Sequence, residues 1–159
     1  MKYKTINLPL DGYHLNNVIH IGAGNGLYAQ YYDHLNLKNA IWIEQSKEFY
    51  SNLYRNTIPF QIKNQYYFTR LSNIDNVHEQ TFKSFWRNYS CNIDIEKYDL
   101  LTLDIRSESH KIIEGFDNFK NNFRVIVFLW PDSISEEYMQ SIGYNLEYKS
   151  DHVLYARIS

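Results

Sequence analysis

The sequence of 159 residues predicts an α/β fold: a mostly parallel central sheet with helices on both faces and an antiparallel C-terminal strand. Three observations predict it. Short apolar runs alternate with longer stretches of helical spacing, the pattern of parallel strands covered by helices. The first clear run, residues 18–21, leads straight into the turn Gly22-Ala23-Gly24-Asn25-Gly26 and a helix-like segment. The most hydrophobic run, residues 124–130, reads as a strand buried on both faces.

The elements follow in order. After the strand at 18–21 a helix spans 27 to about 35. The second strand, 40–43, ends at Glu44, and Ser46 is suited to cap a helix carrying Phe49, Leu53 and Tyr54 at helical spacing. Pro59 closes that unit, and 61–71 is ambiguous, with Tyr66-Tyr67-Phe68 able to form a short strand. Residues 81–89 read as a helix with Phe82, Phe85, Trp86 and Tyr89 on one face. A strand at 98–103 ends at Asp104; a helix then runs from Ser107 to about Phe119 with Ile112, Ile113 and Phe116 inward. After the strand at 124–130, Pro131-Asp132-Ser133 is a turn and N-cap, and the helix it opens runs to Ile142 with Gly143 suited to its C-cap. Residues 144–148 and 152–158 form a final antiparallel pair about Ser150-Asp151.

Bulk properties narrow the function. A chain of this length fits one domain, 1–159, and 44% hydrophobic residues suffice for a packed core. The net charge of −2 speaks against a general nucleic-acid binder while leaving a local basic patch open, and no nucleic-acid partner is expected. A single cysteine, Cys91, in a polar stretch, rules out an intramolecular disulfide and suits a reducing compartment. The first 17 residues lack the apolar core of a secretory leader, and no run nears the ~20 residues of a membrane span. A soluble, cytoplasmic protein with no membrane partner is expected. Aromatics make up 17% of the chain, with fifteen tyrosines, and a surface rich in them is compatible with a homodimer.

The glycine turn is the strongest chemical signal. Glycines there let the backbone approach a ligand, and the following helix start favours anionic groups. A dinucleotide turn reads G-x-G-x-x-G, whereas Gly22, Gly24 and Gly26 give the tighter G-x-G-x-G, with Leu27 at the dinucleotide pattern's third glycine. That spacing resembles motif I of S-adenosylmethionine methyltransferases and disfavours a nicotinamide cofactor; an ordinary glycine-rich β-to-α turn is the plainer alternative. Glu44, eighteen residues after Gly26, stands at a strand end where a carboxylate can accept both ribose hydroxyls of an adenosine. A Glu in such a place is expected to be exposed. Asp104 ends another strand, on the edge where open α/β sheets bind ligands. Asp99 begins that strand and is expected to be structural.

Three segments carry a family resemblance: Val77 to Phe85, then Ile95-Glu96-Lys97-Tyr98-Asp99-Leu100-Leu101-Thr102-Leu103-Asp104-Ile105, then Lys111-Ile112-Ile113-Glu114-Gly115-Phe116. Together they resemble the FkbM-type methyltransferases, over about 18–158. The resemblance implies a Rossmann-like class I methyltransferase fold, S-adenosyl-L-methionine as cofactor, and methyl transfer to a hydroxyl of a sugar or sugar-containing metabolite. The candidate cofactor-binding set is His20, Gly22, Ala23, Gly24, Asn25, Gly26, Glu44 and Gln45. Departures stand beside it: His20 takes the place of the family's first-strand acid, Ile105-Arg106-Ser107 that of its V-E-G, and Ser109 that of its next Glu, with Glu108 one position earlier.

Transfer to a hydroxyl needs alignment and a proton acceptor. Asp104 is the best-placed carboxylate and His110 the best-placed imidazole; a helix-capping Asp and an exposed helix histidine are the plain alternatives. The six histidines show no metal-ligand spacing, so no metal is expected. Two functions stay open: an O-methyltransferase acting on a small-molecule or glycan acceptor, and a domain of the same fold that has lost transfer and serves binding or assembly.

Overall fold

The computed structural model describes residues 8–89 and 94–157; Cys91 and Ile158 lie outside them. One seven-stranded sheet has the order β3-β2-β1-β4-β5-β7-β6. Its strands are β1 (Asn17–Ile21), β2 (Asn39–Glu44), β3 (Lys63–Phe68), β4 (Leu100–Leu103), β5 (Val125–Phe128), β6 (Tyr144–Lys149) and β7 (Val153–Arg157). β1 pairs in parallel with both β2 and β4, with Ile21 opposite Ile43 on one side and Leu103 on the other. β7 runs antiparallel to β5 and to β6. The helices are α1 (Ala29–His34), α2 (Lys47–Thr57), α3 (Phe82–Tyr89), α4 (Ser109–Glu114) and α5 (Glu136–Ser141).

Alternation along each strand divides the core in two. Ile19, Ile41, Leu101 and Ile126 pack on one face with Phe82, Phe85, Phe116 and Met139. Val18, Trp42, Leu100 and Val127 pack on the other with Tyr32 and Leu53. Strands covered on both sides carry apolar residues at nearly every position, which is why β1, β2, β4 and β5 are plain in the sequence. The edge strand β3 has only partly buried or exposed positions, and its signal at 61–71 is correspondingly weak.

Some boundaries differ from expectation for local reasons. The helix expected over 107–119 is two pieces, α4 and a 3-10 segment at Asp117–Asn122. Asp117 has φ +52°, a left-handed conformation that stops an α-helix. At Gly115 a Cβ would lie 2.1 Å from the carbonyl oxygen of Ser72, so the end of α4 touches the loop after β3. Pro131–Ser133 forms a 3-10 turn, and the cap of α5 is Ser135, whose Oγ accepts from the Tyr138 N–H at 3.1 Å. Ser46 stands at the N-cap of α2 without a side-chain cap bond. Asp99 is structural, as expected: its carboxylate accepts from the backbone N–H groups of Asn16 and Asn17, both at 2.9 Å, and ties the starts of two strands. No helix among the described residues is long and apolar enough to cross a membrane.

Candidate functional site

The carboxyl ends of β1, β2, β3, β4 and β5 and the start of β7 share one edge of the sheet. The loop after β1 shapes its centre. Gly22 (φ +77°) leaves no room for a side chain: a Cβ would lie 2.5 Å from the Asp104 carbonyl oxygen. Its N–H donates to the Ile43 carbonyl at 2.9 Å, as does that of the buried Ala23 at 3.1 Å. Gly26 (φ +78°) presses on α2, where a Cβ would meet Thr57 Cγ2 at 2.7 Å. The Asn25 carbonyl accepts from Asn56 Nδ2 at 2.8 Å. Gly24 differs. Its φ of +55° is left-handed, yet among the described residues no atom beyond its two chain neighbours lies within 4 Å of where a Cβ would stand. The outer two glycines thus seat the loop, and the middle one opens it.

Glu44 reaches into that opening. Its Oε2 accepts from the Gly24 N–H at 2.6 Å and its Oε1 from the Ser46 N–H at 2.7 Å. It is 5% exposed, so the expected exposure is corrected: two backbone donors draw the carboxylate inward. Each oxygen has two lone pairs, so both can accept a further bond. Gln45 beside it is exposed.

A cleft lined by Gly22 and Gln45 lies at the sheet edge. Ile21, Ile43, Ile105 and Ile112 supply its apolar wall, and Gln45, Thr69 and Ser107 its polar margin. Arg70 and Glu108 meet at its mouth, 3.4 Å apart, with Lys111 2.9 Å from the other Glu108 oxygen. Lys111 holds the Glu108 carboxyl below the usual carboxylate range. The expected set missed this wall after β3, because nothing in residues 69–72 marks them before β3 is paired.

His20 is not in the cleft wall. It is fully buried on the opposite face, stacked on Trp42 with centroids 5.4 Å apart. Tyr32 Oη donates to Thr102 Oγ1 at 2.9 Å, so at 2.8 Å it accepts from His20 Nδ1–H. That tautomer leaves Nε2 as a bare acceptor, and among the described residues it has no partner. Burial pushes the imidazole down to about 3, so it is neutral at physiological pH.

Asp104 sits past β4, partly buried. Its Oδ1 accepts from Trp130 Nε1 at 2.7 Å, while among the described residues Oδ2 has no hydrogen-bond partner. Desolvation raises its pKa, opposed by the Trp130 bond and by the charges of His152 and Arg106, while Glu44 adds to the rise. Arg106 lies over the Trp130 ring, 4.2 Å from its centroid. His110, expected as the imidazole partner, lies exposed on α4. The imidazole whose charge bears on Asp104 is His152, with Nδ1 3.0 Å from the Leu129 carbonyl oxygen. Trp130, Arg106 and His152 come from three separate segments, so sequence spacing does not link them to Asp104.

No family model and no curated protein matches the sequence, so the FkbM-type likeness rests on the residues quoted above. Solved structures do match. TrmK from M. capricolum, in complex with S-adenosyl-homocysteine, is 13% identical with a TM-score of 0.58, over 96% of this chain and 69% of that one. A candidate RNA methyltransferase from Pyrococcus horikoshii is 15% identical with a TM-score of 0.58, over 90% and 76%. A candidate caffeoyl-CoA O-methyltransferase from Staphylococcus aureus is 12% identical with a TM-score of 0.61, over 94% and 79%. The fold is therefore the Rossmann-like class I methyltransferase fold. The expectation of no nucleic-acid partner is corrected: proteins of this fold that match include one named for RNA, and a whole-chain charge says nothing of a local surface.

Proposed function

We propose that the cleft binds S-adenosyl-L-methionine and that the protein transfers its methyl group to an acceptor held beside Asp104. The observation that carries this reading is the open left-handed Gly24 next to a buried carboxylate with free lone pairs. Glu44 would hold the ribose hydroxyls, the 22–26 loop the chain beyond them, and Ile21, Ile43, Ile105 and Ile112 would pack the adenine, with Gln45 and Thr69 at its margin. When bound, the cofactor supplies an electrophilic methyl group on a sulfonium, which departs from a neutral thioether.

This chain's own residues orient the acceptor and receive its proton. Asp104 offers Oδ2, unengaged among the described residues, and the Trp130 N–H holds Oδ1. Its raised pKa makes it a stronger proton acceptor than an ordinary aspartate. A sugar hydroxyl, the acceptor that the FkbM-type resemblance implies, could present its O–H to that oxygen. A second reading, a binding domain without transfer, is favoured by His20: the position of the family's first-strand acid is turned into the core.

Calorimetric titration with S-adenosylmethionine and S-adenosylhomocysteine tests the first reading. Micromolar binding, about −8 kcal/mol, is expected. No heat and no thermal shift at millimolar cofactor would overturn it.

A further inference from the structure

We infer that the corner formed by Arg106, Trp130 and Asp104 is an acceptor subsite for a nucleobase of a nucleotide, stacked on the Arg106 guanidinium with an N–H directed at Asp104 Oδ2. It rests on the methyl-transfer reading above and names the class of acceptor.

Three features of the corner carry it. Trp130 is 38% exposed, an unusual state for an indole, and its N–H is already committed inward to Asp104. The ring therefore serves as a fixed platform. Arg106 covers a face of that platform at 4.2 Å, within the ~6 Å reach of a cation–π contact. Arg106 is exposed and forms no ion pair among the described residues, so its outer face and its N–H donors are open. A guanidinium plane backed by an indole is a stacking surface for a base, and its edge donors suit a phosphate.

A sugar fits this corner less well. Pyranose C–H groups need a bare aromatic face, and the guanidinium occupies one. The carboxylate completes the match: Oδ2 is an acceptor, and amino-bearing bases present N–H donors. The Arg106 guanidinium supplies the positive charge of the corner, and its edge donors take the phosphate of an anionic nucleotide.

Cytidine 5′-monophosphate and guanosine 5′-monophosphate are the probes, because an adenine could enter the cofactor cleft. Calorimetry is run with and without 1 mM S-adenosylhomocysteine, with cytidine, ribose 5-phosphate and methyl α-glucoside as controls. The nucleotides are expected to bind at least tenfold tighter than ribose 5-phosphate or the glucoside. Arg106→Ala should weaken them at least tenfold. Arg106→Lys, which keeps the charge and loses the plane, should lose most of that binding too, whereas Trp130→Phe should keep much of it. Circular dichroism controls for folding. Equal nucleotide affinity in wild type, Arg106→Ala and Arg106→Lys would overturn the proposal, as would tighter binding of the glucoside. Full retention in Arg106→Lys would reduce the site to an anion site and also overturn it. Nucleotide binding without homocysteine-cofactor binding would sink the cofactor reading and support the subsite.

Discussion

Replacing Glu44 by Ala removes the acceptor of two backbone N–H groups, at 2.6 Å from Gly24 and 2.7 Å from Ser46. A hydrogen bond to a charged group contributes about 1.5–3 kcal/mol net, so two contribute about 3–6 kcal/mol. Gly24 and Ser46 are partly exposed, and water replaces some of what is lost. A destabilisation of about 2–4 kcal/mol is expected from those contributions. At about 2–4 °C per kcal/mol for a chain of this size, the melting temperature should fall by roughly 4–16 °C. Glu44→Gln keeps one carbonyl oxygen but sets its amide N–H against the other donor, so it should cost about 1–3 kcal/mol. Urea unfolding followed by far-UV circular dichroism at pH 7 measures both variants. Titration with S-adenosylhomocysteine at a temperature where each is folded measures a separate loss, about 1–3 kcal/mol for the ribose contacts. Unfolding free energies within ~0.5 kcal/mol of wild type would refute the inward-drawn carboxylate. Lowered stability with unchanged cofactor affinity would leave Glu44 as a strut of the glycine loop and no more.

Three other outcomes are expected. His20 stays neutral in the fold down to about 3, while the unfolded chain protonates it near 6.5, so the unfolded state binds more protons between those values and stability falls as pH falls, by about 1.4 kcal/mol per pH unit; His20→Phe should therefore gain about 2–3 kcal/mol on wild type between pH 6.5 and 4.5 by urea unfolding, and a pH-independent difference would refute it. The pKa of Asp104 is raised in the fold, so the native state binds the proton more tightly, and ionisation costs stability as pH rises through the folded value. Asp104→Asn should look more favourable relative to wild type at pH 7 than at pH 3, while lowering methyl transfer by about 10²–10⁴-fold; transfer at the wild-type rate would remove Asp104 from the chemistry. Gly22→Ala places a Cβ 2.5 Å from the Asp104 carbonyl at φ +77°, and a loss of about 2–4 kcal/mol in unfolding free energy is expected, with neutrality refuting the seating of the loop.

What could be read from the chain is what repeats along it or is tied to backbone conformation. The buried strands β1, β2, β4 and β5 announce themselves because both faces of each are covered, and Gly22-Ala23-Gly24-Asn25-Gly26 announces a tight turn because few residues other than glycine take the positive φ of +55°, +77° and +78° found there. Asp99 and Asp104 fell on opposite edges of the sheet, as their positions at the two ends of one run require. The rest depends on groups distant in sequence. The burial of Glu44 follows from a donor twenty residues away, and the inward turn of His20 from the parity of β1 and the aromatic shell of Tyr28, Tyr32 and Trp42. Net charge pointed away from nucleic acid because a sum over the chain has no location. The cation beside Asp104 comes from Arg106, brought over Trp130 only when β4 and β5 pair. The sequence by itself determined the buried strands and the glycine loop, because periodicity and backbone conformation are local. Only the tertiary structure decided which carboxylate oxygens are engaged and which side chains face them, because those depend on packing across strands that are far apart in the chain.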